Sequence, residues 1–185
     1  MVQHLKNPIR KEMLAKRAAL SGADVASLSE KICDRIVKNS KFKKAKFIGF
    51  YLAKGNEANL KKAIVAAFAL GKEVLVPITT DQIHFYHLSS FDDLHPGKFG
   101  ILEPKTKIKP CIEPDLVIVP GVAFGECMHR LGYGKGYYDR YFSKVNPAAS
   151  RVGVCYDFQV VEKLPTHEED QKLDEIITEK RVIKA

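Results

Sequence analysis

The sequence predicts a Rossmann-like three-layer α/β fold, in which a mixed, mostly parallel sheet has helices on both faces. Segments with the spacing of strands alternate with segments with the spacing of helices. The strand candidates are apolar throughout, as in LVIV at 116–119, which is typical of parallel strands covered on both sides. At 185 residues the chain has the length of one domain, so residues 1–185 are predicted to form a single unit.

Two helices open the chain. The first is predicted to begin at Asn7 and Pro8, because Asn is favoured at an N-cap and Pro at the first helical position. The second is predicted from about Asp24 to Asn39, where apolar residues recur at intervals of three and four.

A βαβ unit follows. Residues 47–52 are predicted to form a strand, 57–70 a helix and 74–78 a second strand parallel to the first. Only a short polar link, 79–81, separates this unit from the β-rich run 83–88, which must therefore turn back antiparallel. The sheet is accordingly predicted to be mixed.

The second half of the chain contains the remaining elements. Residues 89–114 are rich in Pro, Gly, Asp and Lys and are predicted to be an irregular connection. Strands are expected at 116–119 and 151–155, with a helix at about 136–145 between them, and a short final strand at 175–178.

Composition limits the possible functions. A formal charge of +8 favours anionic partners, either nucleic acid or small ligands with phosphates and carboxylates, although a basic surface can also serve solubility alone. The four cysteines form no CxxC pair, so neither a zinc site nor a disulfide framework is expected. No stretch approaches the roughly 20 apolar residues of a membrane helix, and we expect a soluble, cytoplasmic protein.

A glycine-rich segment, RLGYGKGYYDR at 130–140, is the most informative part of the sequence. Its glycines let backbone N–H groups approach an anion just before a helix, which suits phosphate. Arg130 and Lys135 add full charges, and Asp139 is placed to hold a Mg²⁺ that bridges phosphate oxygens. The segment is not a Walker A loop, because neither Ser nor Thr follows Lys135.

Each of these features has a plainer interpretation. The glycines can form a simple tight turn, and Asp139 can be a salt-bridge partner within the helix. The tyrosines can be core residues, although Tyr133 lies between two glycines and is better placed to pack on a flat ligand ring. In open α/β sheets ligands bind beyond the carboxyl ends of the strands, which points to the loops 53–57 and 121–135 and to the loop from 156 onward.

The segment RLGYGKGYYDRY closely resembles the signature of the 5-formyltetrahydrofolate cyclo-ligases, and the family's PGxAF element precedes it at 120–124. Weaker matches cover nearly the whole chain. They are Lys6 and Arg10, residues 50–57, the GIxEP element at 100–104, and residues 164–178. Three residues depart from the family pattern: Gly125 replaces the usual Asp, Met128 the usual Gly, and Glu169 the usual His.

The resemblance implies an enzyme that uses ATP and Mg²⁺ to convert 5-formyltetrahydrofolate to 5,10-methenyltetrahydrofolate, with release of ADP and phosphate. The formyl oxygen would be phosphorylated first, and N10 would then attack the formyl carbon. Phosphoryl transfer requires alignment and charge stabilisation rather than a protein nucleophile.

The resemblance also implies residue roles. The catalytic residues would be Arg130, Lys135 and Tyr138. ATP would contact Lys6, Arg10, Arg130, Leu131, Gly132, Tyr133, Gly134, Lys135, Gly136, Tyr137 and Tyr138. The folate would contact Leu52, Glu57, Tyr133, Gly134, Lys135, Gly136 and Tyr137. Mg²⁺ would bind Asp139 and Asp170.

Without the resemblance, several of these residues could have ordinary structural roles. Lys6 and Arg10 can be solvated charges, Glu57 can stabilise the first turn of its helix, and Asp170 can belong to an exposed acidic run. The expected partner is the small-molecule substrate, with no nucleic acid, no membrane and a monomeric chain. The alternatives are a basic module that binds RNA, and a sugar-phosphate or CoA enzyme with a similar sheet.

Overall fold

The computed structural model describes residues 2–97 and 100–185, with side chains from residue 4 onward in these ranges. The strands are, in chain order, β1 (Phe47–Gly49), β2 (Glu73–Thr79), β3 (Ile83–His87), β4 (Leu94–Pro96), β5 (Leu102–Pro104), β6 (Leu116–Val119), β7 (Ala123–Gly125), β8 (Arg130–Leu131), β9 (Ser150–Val154), β10 (Val160–Val161), β11 (Glu175–Ile177) and β12 (Val182–Lys184). The helices are α1 (Val2–Ala18), α2 (Gly22–Lys38), α3 (Ser40–Lys44), α4 (Lys61–Ala69) and α5 (Tyr137–Arg140), and α5 continues as a π-helical turn (Tyr141–Val145).

Seven strands form the main sheet in the order β12, β11, β9, β6, β1, β2, β3. The five inner strands run parallel to one another. The edge strands β3 and β12 run antiparallel to their neighbours. The predicted mixed, mostly parallel sheet is therefore confirmed, as is the antiparallel return of β3.

Helices cover both faces of this sheet. Ile32 of α2 and Ile64 of α4 belong to one core cluster, together with Ile118 of β6. Val117, the neighbour of Ile118, lies in a second cluster with Phe142 of the π-helical turn. Successive side chains of a strand point to opposite faces, so the two clusters are the two cores of the predicted three-layer fold.

The N-terminal helix differs from its prediction. It begins at Val2 rather than at Asn7, and Pro8 lies inside it, where the missing N–H removes one backbone hydrogen bond. Contacts made by Lys6 and Arg10 with distant parts of the chain hold this extra turn against the protein. Lys6 and Arg10 therefore lie within the helix, whereas the predicted start at Asn7 had placed them at its N-terminus.

Helix α4 is shorter than predicted and begins at Lys61 instead of residue 57. The side chain of Asn59 accepts a hydrogen bond from the N–H of Lys61 at 2.9 Å and so marks the start of the helix. Glu57 lies in the preceding loop, where its carboxylate accepts from the N–H of Lys54 at 3.0 Å. The interpretation of Glu57 as a residue of the first helical turn is therefore wrong.

Several short strands were not predicted. Strands β4 and β5 form an antiparallel pair within the segment 89–114, which was expected to be irregular throughout. Strands β10, β7 and β8 form a separate sheet beside the main one. These strands have two or three residues each, too few to show a hydrophobic period in the sequence. Among the described residues, no helix is both long and apolar enough to cross a membrane.

Candidate functional site

Two cavities adjoin the glycine-rich segment, beyond the carboxyl ends of β1, β2 and β6. Their volumes are about 920 Å³ and about 740 Å³. Arg130, Gly132 and Gly136 line both of them, so the loop 130–136 forms a wall between the two cavities. Every residue that the sequence analysis assigned to the site lines at least one of them.

The first cavity is strongly basic. The predicted residues on its wall are Lys6, Arg10, Arg130, Leu131, Gly132, Gly134, Gly136, Asp139 and Asp170. The wall also contains Arg140, Ser143, Lys144, His167, Glu169 and Gln171, which the sequence analysis did not select.

Helix α1 forms one side of this cavity through two long-range contacts. Nζ of Lys6 donates to Oδ2 of Asp170 at 2.6 Å, and Nε of Arg10 donates to the carbonyl of Gly132 at 2.8 Å. Lys6 and Arg10 are four residues apart and project from the same face of the helix. The structure thus brings the predicted N-terminal cations to the glycine loop.

Arg130 is a buried guanidinium whose hydrogen-bonding capacity is not used. It is 7% exposed, and in the described part of the chain its Nε and Nη2 have no hydrogen-bond partner. Nη2 is 3.4 Å from Oδ1 of Asp139, an ion pair without hydrogen-bond geometry, and the guanidinium lies 5.2 Å from the ring centre of Tyr138. A buried N–H without a partner costs free energy, and an anion in either cavity would supply that partner.

The backbone N–H groups of the glycine loop are a second set of unused donors in the described part of the chain. Within the described ranges, none of the N–H groups from Gly132 to Gly136 donates a hydrogen bond. The carbonyls are held instead, since Arg10 binds Gly132 and Nη1 of Arg140 donates to the carbonyl of Lys135 at 2.7 Å. Gly136 has φ +63°, a left-handed conformation that favours glycine. The loop therefore presents free N–H donors, which suits an anion.

Two carboxylates face the first cavity. Asp139 accepts from the N–H of Gln171 at 3.1 Å, and Asp170 accepts from the N–H of His167 at 2.8 Å as well as from Lys6. Burial alone would raise the pKa of Asp170, but these donors outweigh it and lower that pKa. Among the described residues, no group of three or more His, Cys, Asp or Glu is arranged so that it could hold a metal ion by itself. A pair of aspartate side chains fits Mg²⁺, which completes its coordination with phosphate oxygens and water.

The second cavity is more apolar and aromatic. The predicted residues on its wall are Leu52, Glu57, Arg130, Gly132, Tyr133, Lys135, Gly136, Tyr137 and Tyr138. Further wall residues are Tyr51, Lys54, Pro77, Thr79, Thr80, Asp81, Ile83, Ile101, Glu103, Pro120 and Gly121. Lys135 and Tyr133 line this cavity and not the first, whereas Gly134 lines only the first. A cavity lined by aromatic, apolar and charged side chains suits a flat ring with polar edges.

Tyr133 and Glu57 are hydrogen-bonded at the edge of the second cavity. The hydroxyl of Tyr133 donates to Oε1 of Glu57 at 2.9 Å and accepts from Nη2 of Arg17. Partial burial and the charge of Glu57 raise the pKa of Tyr133, so its hydroxyl stays protonated. Tyr133 as a residue is 55% exposed, and it lines the cavity.

The departures at Gly125 and Met128 lie in one turn between β7 and β8. Met128 has φ +66°, a left-handed conformation that costs a residue with a side chain about 1 kcal/mol. The family's usual glycine would avoid this cost. A Cβ at position 125 would lie 2.8 Å from Sγ of Cys127 and 3.0 Å from Cβ of Leu164, so the family's usual Asp would require both neighbours to shift. The turn still forms, with the N–H of Gly125 bonded to the carbonyl of His129 at 2.9 Å.

Arg17 is the most informative residue that the sequence analysis missed. It is 6% exposed and connects α1 with Tyr133, Glu57 and the carbonyl of Gly121. One signal was present: Arg17 lies four residues after Met13, another buried residue of α1, so it occupies a core-facing position of the helix. The turn 79–81 was missed as well, although it follows β2 at the same edge of the sheet.

Comparison with known proteins shows the family of the chain. The sequence model described as the 5-formyltetrahydrofolate cyclo-ligase family matches residues 2–179. A probable 5-formyltetrahydrofolate cyclo-ligase of Schizosaccharomyces pombe is 32% identical over 198 aligned residues, covering 97% of both chains. The 5-formyltetrahydrofolate cyclo-ligase of Escherichia coli K12 is 27% identical over 175 residues, covering 90% of this chain and 96% of the relative.

Two solved structures share the fold. The NMR structure of 5,10-methenyltetrahydrofolate synthetase from Aquifex aeolicus superposes with a TM-score of 0.85 at 37% identity, covering 97% of this chain and 92% of that one. The structure of a 5,10-methenyltetrahydrofolate synthetase from Mycoplasma pneumoniae gives a TM-score of 0.75 at 26% identity, covering 94% of this chain and 98% of that one. With the family match over nearly its whole length, the chain belongs to the 5-formyltetrahydrofolate cyclo-ligase family.

Proposed function

We propose that the protein uses ATP and Mg²⁺ to close 5-formyltetrahydrofolate into 5,10-methenyltetrahydrofolate. In this reaction the γ-phosphoryl group of ATP passes to the formyl oxygen. N10 then attacks the formyl carbon and releases its proton, while phosphate departs with the formyl oxygen. The products are 5,10-methenyltetrahydrofolate, ADP and phosphate.

The first cavity suits the nucleotide. Lys6, Arg10 and Arg130 supply positive charge on its wall, and the glycine loop supplies free N–H groups. Asp139 and Asp170 would hold Mg²⁺, which would neutralise charge on the phosphates. Both carboxylates contact cations in the structure, so we propose that phosphates draw these cations away as the nucleotide binds.

The second cavity suits the folate. Tyr133 and Tyr137 present aromatic surface, and Leu52 adds apolar surface. The carboxyl group of Glu57 can accept from the N–H groups of a pterin edge, and Lys135 is an exposed residue on the same wall. A reduced pterin combines a flat ring with polar edges, which matches this combination of side chains.

The shared wall would bring the two substrates together. Arg130 lines both cavities, so its charge can stabilise a phosphoryl group as that group leaves one cavity for the other. Burial raises the pKa of Tyr138 although Arg130 opposes the shift, so the phenol stays protonated beside the guanidinium and can donate a hydrogen bond. Phosphoryl transfer needs such positioned charges rather than a nucleophilic side chain.

The single observation that carries the proposal is the buried Arg130 guanidinium, which has unsatisfied N–H groups and lies between a basic and an aromatic cavity. The test mixes purified protein with 5-formyltetrahydrofolate, MgCl₂ and ATP and follows methenyltetrahydrofolate by its absorbance. We expect product only when ATP and Mg²⁺ are both present. Product formation without ATP, or none with all components, would reject the proposal.

We further propose that residues 1–185 act as one domain and as a monomer in the cytoplasm, without nucleic acid or membrane partners. Sedimentation of the active protein checks the monomer, and a filter-binding assay with RNA checks the absence of a nucleic-acid partner.

A further inference from the structure

Arg17 is buried in a hydrogen-bonded network behind the second cavity. Its Nη1 donates to the carbonyl of Gly121 at 3.2 Å, and its Nη2 donates to the hydroxyl of Tyr133. Nη2 also lies 3.6 Å from Oε1 of Glu57. One guanidinium thus contacts the loop after β1, the loop after β6 and the glycine loop.

The protons in this network can be arranged in only one way. A guanidinium has no acceptor, so Arg17 donates to the oxygen of Tyr133, and the phenol must donate its own proton to Glu57. Both oxygens of Glu57 have partners, because Oε2 accepts from the N–H of Lys54 at 3.0 Å. The network therefore fixes the orientation of the Tyr133 ring and of the Glu57 carboxylate.

Arg17 itself lies outside both cavities. It is absent from their walls, whereas Tyr133 and Glu57 line the second cavity. Any effect of Arg17 on a ligand therefore passes through the wall residues that it contacts, which are Tyr133, Glu57 and the backbone of Gly121. The nucleotide-facing residues of the same helix, Lys6 and Arg10, have anchors of their own at Asp170 and Gly132.

We propose that Arg17 is a positioning residue for the folate substrate, which sets the ring of Tyr133 and the carboxylate of Glu57 before the folate binds. The inference rests on the proposed function of the second cavity. Positioning before binding lowers the entropic cost of association, and its loss appears mainly as weaker binding. The role of Arg17 concerns the folate and not the nucleotide.

The test measures KM for each substrate and kcat in three variants: Arg17→Met, Arg17→Lys and Tyr133→Phe. We expect Arg17→Met to raise the KM for 5-formyltetrahydrofolate at least about tenfold, the effect of losing charged hydrogen bonds to two groups. The KM for ATP should change less than about twofold. Arg17→Lys keeps the charge but loses the forked geometry, so it should give an intermediate KM for the folate.

A double-mutant cycle separates positioning from general stability. Because Arg17 acts through Tyr133, the double variant Arg17→Met/Tyr133→Phe should raise the folate KM by less than the product of the single effects. The matched control is Arg35→Met, since Arg35 also donates from a helix to backbone carbonyls, those of Glu179 and Lys180, and lies outside both cavities. Its two KM values should match those of the wild type.

Equal rises of both KM values in Arg17→Met, or multiplicative effects in the double variant, would overturn the positioning role. If Arg17→Met does not fold, the Arg17→Lys variant tests the positioning role instead. An unchanged folate KM in Arg17→Lys would also overturn that role. The proposed function fails separately, through absence of product from the wild-type protein. An active wild type whose folate KM does not depend on Arg17 rejects only the positioning role.

Discussion

Lys6 and Asp170 form an ion pair 2.6 Å long, although 164 positions separate them in the chain. Both side chains are largely buried at the wall of the basic cavity. In the proposed enzyme, Lys6 turns to the phosphates and Asp170 to Mg²⁺. The pair therefore holds two ligand-binding groups in place until their ligands arrive.

Lys6→Met should raise the KM for ATP at least about tenfold, because a positioned cation on a phosphate contributes about 1.4 kcal/mol or more. The KM for the folate should stay within about twofold. Steady-state kinetics with each substrate varied in turn measures both values. The control is Lys16→Met, because Lys16 is an exposed cation of the same helix and pairs with Glu12 at 2.7 Å. An unchanged KM for ATP would remove Lys6 from the nucleotide site.

Arg130→Met should lower kcat/KM at least about a hundredfold, because the variant loses the charge shared by the two cavities. The ligand-free variant should nevertheless keep its unfolding free energy within about 1 kcal/mol of the wild type, since the removed guanidinium is buried with unsatisfied N–H groups. Denaturant titration measures the stability. The control Arg181→Met removes a guanidinium with partners, Asp157 and Glu126, and should leave kcat/KM unchanged. A large loss of stability in Arg130→Met would show that Arg130 is a structural residue.

Lys135→Ala should lower kcat at least about tenfold, the effect expected from losing one positioned charge near the reacting phosphoryl group. Lys163→Ala is the comparison, because Lys163 is exposed and lies on neither cavity wall. Saturating ATP and folate isolate kcat in this assay. Identical turnover in the two variants would exclude Lys135 from catalysis.

Gly136→Ala should lower the unfolding free energy by about 1 kcal/mol, because alanine is strained at a φ of +63°. Its Cβ would also lie 3.3 Å from Nη1 of Arg140, which holds the loop. Gly22→Ala is the matched control, since Gly22 is the first residue of α2 and a Cβ there meets nothing within 4 Å. Thermal unfolding should show the loss only at position 136.

In the Asp170→Asn variant, the unfolding free energy should fall less on acidification than it does in the wild type. The lowered pKa of Asp170 means that ionised Asp170 stabilises the folded chain above its unfolded pKa, near 3.9. This contribution is lost as pH falls through the lower, folded pKa. Unfolding free energies measured from about pH 5 down to about pH 2.5 should therefore fall less steeply in Asp170→Asn than in the wild type. Parallel curves would show that Asp170 is not stabilised as a carboxylate.

The sequence was sufficient for the main sheet except its edge strand β12, and for the position of the glycine loop. The strands around 75 and 117 are continuous apolar runs, and the loop 130–136 carries its charges and glycines consecutively, so local pattern was enough to identify both. The proposed contact of Lys6 with ATP followed only from a family resemblance. Its partner Asp170 lies almost a full chain length away, and no local pattern reports such a distance.

Arg17 shows why part of the site could not be predicted. A cation on an amphipathic helix is usually solvated, and only the folded structure shows Tyr133 and Gly121 around its guanidinium. Glu57 was misplaced for a related reason, because its hydrogen bonds to Lys54 and Tyr133 override the helix propensity of residues 57–60. In both cases tertiary contacts, absent from any sequence window, decide the conformation.

Helix α1 leaves the ribosome before the sheet does, yet its contacts at Asp170, Gly132 and Gly121 are all translated more than a hundred residues later. The sheet can begin to assemble while synthesis continues, but the basic cavity gains its last wall only when the segment around Asp170 has emerged. A nascent chain that lacks this segment therefore lacks one wall of the proposed nucleotide site, and the complete cavity forms late in translation.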